Sequence, residues 1–440
     1  MTPVLQSYVG GRWFGRTVAA TLASAINGRP VAATHAETID FGEALEHARK
    51  VGLPALLALD FQQRAERLKA LARYLAEHKE TMYAVSAHTG ATRTDGWVDI
   101  EGGTGTLFAY AGVGSNELPS GHLVHEGPVL PLGKKGGFAG THILVPRRGV
   151  VVHINAFNFP VWGLLEKFAP SFLAGMPCIA KPATATSYLT EVCVRLMLDS
   201  GLVPDGALQL VIGGTGDLLD RLEESDAVTF TGSADTAMKL RTNPNLVRRS
   251  IPFNAEADSL NCAILAPDVQ PEDEEFDLFV KEVAREITVK AGQKCTAIRR
   301  AIVPRKVLDA VAKRLSERLA KVVVGDPALD NVRMGALASK DQQRDVAERV
   351  EALAAGNEVV FGAGSARSGT SGFSPVGEGV GGGAFFSPTL LLCAKPMVND
   401  AVHDVEAFGP VSTLMPCDDL DEAVALAARG RGSLVGTLVT

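Results

Sequence analysis

From Gly149 onward the chain alternates short apolar runs with helical segments, and this alternation constrains the fold more than any other feature. Val150–Ile154 is a short apolar run, Val161–Ala174 reads as helix and Cys178–Ala180 as extended. Ser187–Leu198 is again helical, Leu208–Ile212 extended and Leu218–Leu222 helical; Ala227–Thr231 and Ala234–Leu240 repeat the pair. Short strands separated by helices predict a parallel sheet covered on both faces. Ligands of such sheets lie beyond the carboxyl ends of the strands, so those ends are where chemistry is sought.

The flanking regions read differently. Residues 1 to about 125 are expected to be mainly helical: Phe61–His78 carries apolar positions at Ala65, Leu68, Leu71 and Leu75, with Asp60 as N-cap. Thr81–His88 and Ile100–Ala111 are expected to be further helices. Gly121–Arg148 is rich in glycine, proline and short β-prone pieces such as Thr141–Val145, and predicts a hairpin. A second α/β block starts near Asp258, with helices expected at Phe276–Ala291, Leu308–Lys321 and Lys340–Ala354 and a strand at Thr389–Cys393. The acidic stretch Asp268–Asp277 is expected to be a surface loop. Gly377–Gly382 formally matches G-x-G-x-x-G, but no clear strand precedes it and Pro388 stands where a helix should run, so a surface loop is expected.

Composition excludes several classes. The 440 residues, 46% of them hydrophobic, suffice for two cores. The net charge of −7 is spread over 43 basic and 50 acidic residues, with no basic stripe interleaved with aromatics, so no nucleic-acid partner is expected. The six cysteines are scattered without a Cys-x-x-Cys pair, which argues against a zinc site or disulfide framework and for a reducing compartment. Neither a signal peptide nor an apolar run of about 18 residues is present, and a soluble, cytoplasmic protein is expected.

One thiol is placed for chemistry. Cys295 follows Gly292-Gln293-Lys294, with Gly292 at the expected helix C-cap and a β-prone run from Ala297 to Val303 behind. A thiol on a turn between two rigid elements suits a nucleophile; the other reading is a buried structural cysteine. The carboxyl ends of the predicted strands offer partners. Asn158, in Asn155-Ala156-Phe157-Asn158-Phe159-Pro160, can donate its amide to an oxyanion or stabilise a turn. Lys181, in Lys181-Pro182-Ala183-Thr184, stands beside a helix start and suits a ribose hydroxyl or a phosphate. Gly232 and Ser233 run straight into a helix, the geometry of a phosphate site without the three-glycine fingerprint. Glu256, upstream of Cys295, and Glu406-Ala407-Phe408-Gly409-Pro410 add carboxylates and an aromatic, each of which, taken singly, could be a solvated loop residue.

Taken in order, N-F-P, K-P-A, F-T-G-S, a lone glutamate, G-Q-x-C and E-x-F-G-P resemble the aldehyde dehydrogenase superfamily over essentially the whole chain. Trp97–Gly103, Ile154–Pro160, Glu256–Asn261 and Gly292–Arg300 are similar to the dehydrogenase part of bifunctional phenylacetate-degradation enzymes, which oxidise CoA-linked ring-cleavage semialdehydes of the 3-oxo-5,6-dehydrosuberyl-CoA type. The resemblance implies an α/β aldehyde dehydrogenase fold. A Rossmann-like parallel-sheet NAD(P)-binding domain is expected from residues 1–125 and 149–257, an oligomerisation hairpin at 126–148 and an α/β catalytic domain at 258–440. Relatives run several dozen residues further, so part of that last domain is expected to be missing.

By the same resemblance Cys295 attacks the aldehyde, Asn158 and the Cys295 N–H hold the oxyanion of the thiohemiacetal, hydride leaves for the nicotinamide, and Glu256 activates the water that frees the acid. Lys181 would hold the adenosine ribose, Gly232 and Ser233 the pyrophosphate, Glu406 the nicotinamide ribose, with Phe408 against the ring. Many NAD-preferring relatives carry a glutamate where this chain has Thr184, which implies NADP with NAD possible. The implied partners are a small aldehyde, CoA-linked, and further copies of the full-length protein in a homo-oligomer. A CoA-acylating aldehyde dehydrogenase and a non-catalytic cofactor- or partner-binding fragment are the alternatives. Arg299 and Arg300 could attract CoA phosphates or form structural ion pairs.

Overall fold

The structure is a computed structural model that describes residues 2–362, 382–431 and 433–440. The chain divides into two compact units: residues 1–22, 32–85 and 97–257 form one, and residues 23–31, 86–96 and 258–440 the other.

The first unit is built on a seven-stranded sheet. Across it run Phe253–Ala257, Ala227–Gly232, Val151–Ile154, Cys178–Lys181, Leu208–Leu210, Ser7–Val9 and Arg12–Phe14. The first five are parallel; the last two join antiparallel. Every residue of Val151–Ile154 and Leu208–Leu210 is buried, as strands covered on both faces require. Four of the parallel strands lie where the apolar runs predicted, within a residue or two at their ends; the fifth, Phe253–Ala257, was not predicted, and none of its residues is buried.

The N-terminal segment departs from the helical expectation. Ser7–Val9, Arg12–Phe14, Val18–Ala23 and Pro30–His35 are strands, and helix begins only at Phe41. Val18–Ala23 is almost wholly exposed, so no buried face imposed a legible alternation on its sequence. Further on, Phe61–Glu77 is a helix, and Asp60 caps it through a reciprocal capping box with Gln63. Val124–Pro131 pairs antiparallel with Ala139–Leu144 as a hairpin. Its apolar residues face outward: Val129, Leu130 and Phe138 are 65%, 50% and 66% exposed.

The second unit holds a six-stranded sheet in the order Glu358–Phe361, Thr389–Leu392, Val411–Cys417, Arg300–Pro304, Cys262–Leu265 and Gly436–Val439. All pairings are parallel except the first. Helix Glu274–Thr288 buries Phe276, Phe279, Val280, Val283 and Ile287 against one face. The acidic stretch expected as a loop runs into this helix: Glu274, Glu275 and Asp277 occupy its first turn, where carboxylates favour the positive end of the helix dipole. Gly377–Gly381 of the glycine-rich segment lie outside the described residues. No helix among the described residues is long and apolar enough to cross a membrane, and none of their His, Cys, Asp and Glu side chains gather into a metal-binding group.

Candidate active site

In the first unit the strand order reverses beside Val151–Ile154. Successive strands Cys178–Lys181 and Leu208–Leu210 extend the sheet to one side, and Ala227–Gly232 then returns to the other. That reversal is the topological switch point at which open parallel sheets bind ligands. Asn158, Lys181, Gly232, Ser233 and Glu256 of the predicted residues lie at or just beyond its carboxyl edge. Ile154 is paired with Lys181 on one side and Phe230 on the other, and Thr231 with Glu256.

Each segment there has its own support. Asn158 is buried in the loop after Val151–Ile154. Thr186 Oγ1 donates to Phe157 O at 3.0 Å and Thr190 Oγ1 to Pro160 O at 3.1 Å, fixing the loop on either side of Asn158. The following helix starts at Trp162, one residue after the expected Val161, and that residue, its N-cap, has no side chain able to cap. The buried carboxylate of Asp99 substitutes, accepting from Val161 N at 3.0 Å and Trp162 N at 2.8 Å. Gly103, in the same helix as Asp99, allows this approach, since an added Cβ would lie 2.8 Å from Trp162 Cα. Asp99 was not predicted; only its place within the Trp97–Gly103 likeness marked it.

Lys181 ends its strand half-buried, and burial pulls its amine below the ordinary lysine value. Thr184 is exposed at the start of a single 3-10 turn. Ser233 caps helix Ala234–Arg241, its Oγ accepting from Thr236 N at 3.3 Å. At Gly232 an added Cβ would stand 2.6 Å from the Phe230 ring, so the backbone is open to close approach only as glycine. Glu256 is half-buried, and Thr231 Oγ1 lies 3.5 Å from its Oε2. A bare backbone at a helix start, a lysine one strand away and an uncharged exposed threonine are a donor set that fits a dinucleotide.

The second unit contributes the cysteine segment. Its helix ends at Thr288, short of the expected Ala291, because three residues in a row turn left-handed: Lys290 at φ 54°, Ala291 at 51° and Gly292 at 68°. Only glycine adopts this region freely, so the loop is strained by about 1–2 kcal/mol at each of the other two. Asp95 offsets the strain by accepting from Lys290 N at 2.7 Å, while Lys290 Nζ donates to Thr89 Oγ1 at 3.1 Å. Gln293, fully buried, donates to Lys290 O at 3.0 Å and accepts from Ala338 N at 2.9 Å. Asn261 Nδ2 donates to Cys295 O at 2.8 Å and Ala297 O at 3.0 Å. Asp95 and Lys290 carry no signal that sequence reasoning could use, because their roles depend on partners far away in the chain, and Asn261 was marked only by its place in the Glu256–Asn261 likeness.

Cys295 is the one cysteine of the six that is not buried. Burial raises the thiols of the other five, Cys417 to about 11. Glu406, nearly buried, accepts from Ser259 N at 3.1 Å and stands 3.4 Å from Arg299 Nε. Burial pushes its carboxyl up, and Arg299 and the Ser259 N–H oppose that rise. The Phe408 ring lies 5.4 Å below the Arg299 guanidinium, and Phe408 O accepts from Gln342 Nε2 at 2.8 Å. Both arginines after Cys295 are engaged internally. Arg300, buried, donates to Leu260 O, Leu426 O and Ala427 O at 2.7, 2.7 and 3.0 Å, so it holds carbonyls together rather than forming an ion pair.

The first unit thus carries a switch-point sheet edge, and the second a strained, pinned loop that presents an accessible thiol. The chain belongs to the aldehyde dehydrogenase family, whose model matches residues 20–440. Among its relatives is the 3,4-dehydroadipyl-CoA semialdehyde dehydrogenase of Aromatoleum evansii, 46% identical over 436 residues, spanning 99% of this chain and 83% of that protein. Solved structures with the same fold include a putative aldehyde dehydrogenase from Burkholderia cenocepacia, with TM-score 0.86 and 23% identity over 99% of this chain and 85% of that one. Another is the betaine aldehyde dehydrogenase of Staphylococcus aureus in complex with NAD+, with TM-score 0.83 and 22% identity over 99% and 82% of the two chains.

Proposed function

We propose that this aldehyde dehydrogenase oxidises a CoA-linked semialdehyde of aromatic-ring catabolism to the acid, with NADP as preferred cofactor. The observation that carries the reading is the presentation of Cys295: one accessible thiol on a loop held by Asn261 at the Cys295 carbonyl and by Asp95 at the strained turn before it. The thiol adds to the aldehyde carbon to give a thiohemiacetal, and the Asn158 amide holds the oxyanion. The nicotinamide, when bound, supplies the hydride acceptor. Glu256 takes a proton from the water that cleaves the acyl-cysteine thioester, releasing acid and thiol. Lys181 and Thr184 serve the adenosine ribose, Gly232 and Ser233 the pyrophosphate, and Glu406 and Phe408 the nicotinamide riboside.

The CoA-linked substrate is supported by the 46% identity to a dehydrogenase named for such a semialdehyde. NADP is supported by Thr184, which puts a hydrogen-bond donor where a glutamate would repel a 2′-phosphate. The outward apolar side of the Val124–Leu144 hairpin supports assembly into a homo-oligomer. Rapid-mixing kinetics test the chemistry. Cys295→Ala is expected to abolish oxidation while cofactor still binds, and Glu256→Gln to keep a single-turnover burst while stalling acyl release. Near-normal turnover in Cys295→Ala would remove it as nucleophile; a missing burst in Glu256→Gln would place that residue before hydride transfer. Added free CoA should not accelerate release, and acceleration with acyl-CoA as product would favour the CoA-acylating reaction.

A further inference from the structure

Arg299 stands where the Cys295 segment and the Glu406 segment meet. It is 5% exposed, and it spends its donors on both segments. Nη2 donates to Gly292 O at 2.8 Å and reaches Lys294 O at 3.4 Å; Nη1 donates to Gly409 O at 2.8 Å; Nε faces Glu406 Oε1 at 3.4 Å. The neighbouring Arg300 is equally buried but meets carbonyls and the His403 ring, with no carboxylate among these partners. The two arginines therefore separate a structural cross-link from a charged one.

We propose that Arg299 is a positioning residue that sets the cysteine loop and the ionised Glu406 carboxylate in one arrangement, so that nucleophile and ribose acceptor are aligned by a single side chain. The role rests on the assignment of Cys295 and Glu406 made above. Stability does not account for the pair. Burying two charges costs more than their attraction returns in many proteins, and apolar residues of similar size often serve as well. Here burial drives both groups toward neutrality, lowering Arg299 and raising Glu406, and each holds the other charged. What the pair supplies is a carboxylate that stays acceptor-only where burial favours the protonated acid, which is the form able to receive two ribose hydroxyl donors. Asp258 raises Glu406 further, while Glu286 and the Cys295 thiol act on Arg299. A guanidinium suits the position because its planar fork can serve several carbonyls and a carboxylate together, which an ammonium cannot.

The test compares the full chain with Arg299→Lys, Arg299→Met and Glu406→Gln. The readouts are NADPH binding by fluorescence across about pH 6–9, the pH profile of iodoacetamide alkylation at Cys295, and the urea midpoint. In Arg299→Met, affinity is expected to fall about tenfold for each pH unit below the new Glu406 midpoint, and alkylation near neutrality to slow about tenfold or more. Arg299→Lys should restore the pH profile of binding but not the full affinity, and Glu406→Gln should bind weakly and independently of pH. An Arg299→Met protein with both pH profiles unaltered and only its urea midpoint lowered would overturn the role. If the methionine variant does not fold, wild-type affinity and alkylation in Arg299→Lys overturn it instead. NADPH binding that is indifferent to Glu406→Gln would overturn the ribose role of Glu406. Failure of the unaltered protein to bind any dinucleotide would overturn the proposed activity and this inference with it.

Discussion

Replacing Gly292 by alanine tests whether the left-handed turn before Cys295 sets the chemistry. Two costs add at this position. At φ 68° an L-residue is disfavoured by about 1–2 kcal/mol. The new Cβ would also stand 2.0 Å from Gly409 O and 2.7 Å from Pro410 Cα. An unstrained carbon–oxygen contact is about 3.3 Å, so one segment must retreat by roughly 1.3 Å. Overpacking of this kind costs about 1–3 kcal/mol, for a total of about 2–5 kcal/mol. The retreat also breaks the carbonyl contacts through which Arg299 ties Gly292 to Gly409. Displacement of a reacting group by about 1 Å costs on the order of 100-fold in rate. Gly292→Ala should therefore lower the urea midpoint by the equivalent of that energy and kcat by about 100-fold or more. Ala291→Gly provides the contrast: it relieves about 1 kcal/mol of strain and gives up a buried methyl of about 0.8 kcal/mol, so stability should stay within about 1 kcal/mol of the original. A Gly292→Ala protein with stability within about 1 kcal/mol and kcat within about twofold of wild type would refute the reasoning.

Three further outcomes are expected. His153 is fully buried at 3.0 Å from Ser171 Oγ, and burial, assisted by Lys167, pulls it down to about 3. It stays neutral in the folded protein while the unfolded chain gains a proton below its ordinary value of 6.5. Its contribution is thus complete above pH 6.5 and is lost as pH falls toward 3, to the extent of about 5 kcal/mol. The acid limb of a midpoint-versus-pH curve should flatten in His153→Gln, and an unchanged limb would show that other groups dominate. Asn158→Ala should reduce kcat by about 10²–10³, the usual cost of one oxyanion donor; a tenfold or smaller loss in steady-state assays would make the amide structural. Thr184→Glu should move the NADP/NAD ratio of kcat/KM about tenfold or more toward NAD, since one charge-assisted contact is worth about 1.5–3 kcal/mol; a higher kcat/KM with NAD in the unaltered protein would remove the premise.

Sequence reasoning located what is encoded locally. Four of the five parallel strands were legible because a strand buried on both faces tends to be continuously apolar, as Cys178–Ala180 is; Phe253–Ala257, with only intermediate and exposed residues, was not. Asp60 announced a helix start, and the structure adds Gln63 as its reciprocal partner. The N-terminal strands were not legible, because an exposed strand such as Val18–Ala23 has no face to pattern. The cysteine, asparagine and glutamates of the candidate site were legible by residue type and order. Their supports were not: Asp99 caps a helix 62 residues on, Asp95 pins a loop 195 residues on, and Asn261 bonds the carbonyl of Cys295 from 34 residues away. The helix before Cys295 was read three residues too long, since nothing in Lys290-Ala291 signals left-handed backbone.

The position of Glu256 has a dynamic consequence. Its strand, Phe253–Ala257, lies at the outer edge of the seven-stranded sheet and is bonded within it on one side only, whereas Val151–Ile154, which leads to Asn158, is held on both. Edge strands open at lower free energy than central ones, so amide hydrogens near Glu256 should exchange with solvent well before those of residues 151–154. Under the proposed roles, the donor that meets the oxyanion follows a strand held on both sides. The proposed base, which would take up a water and let a product leave, would then sit on a strand that can yield without unravelling the sheet behind it.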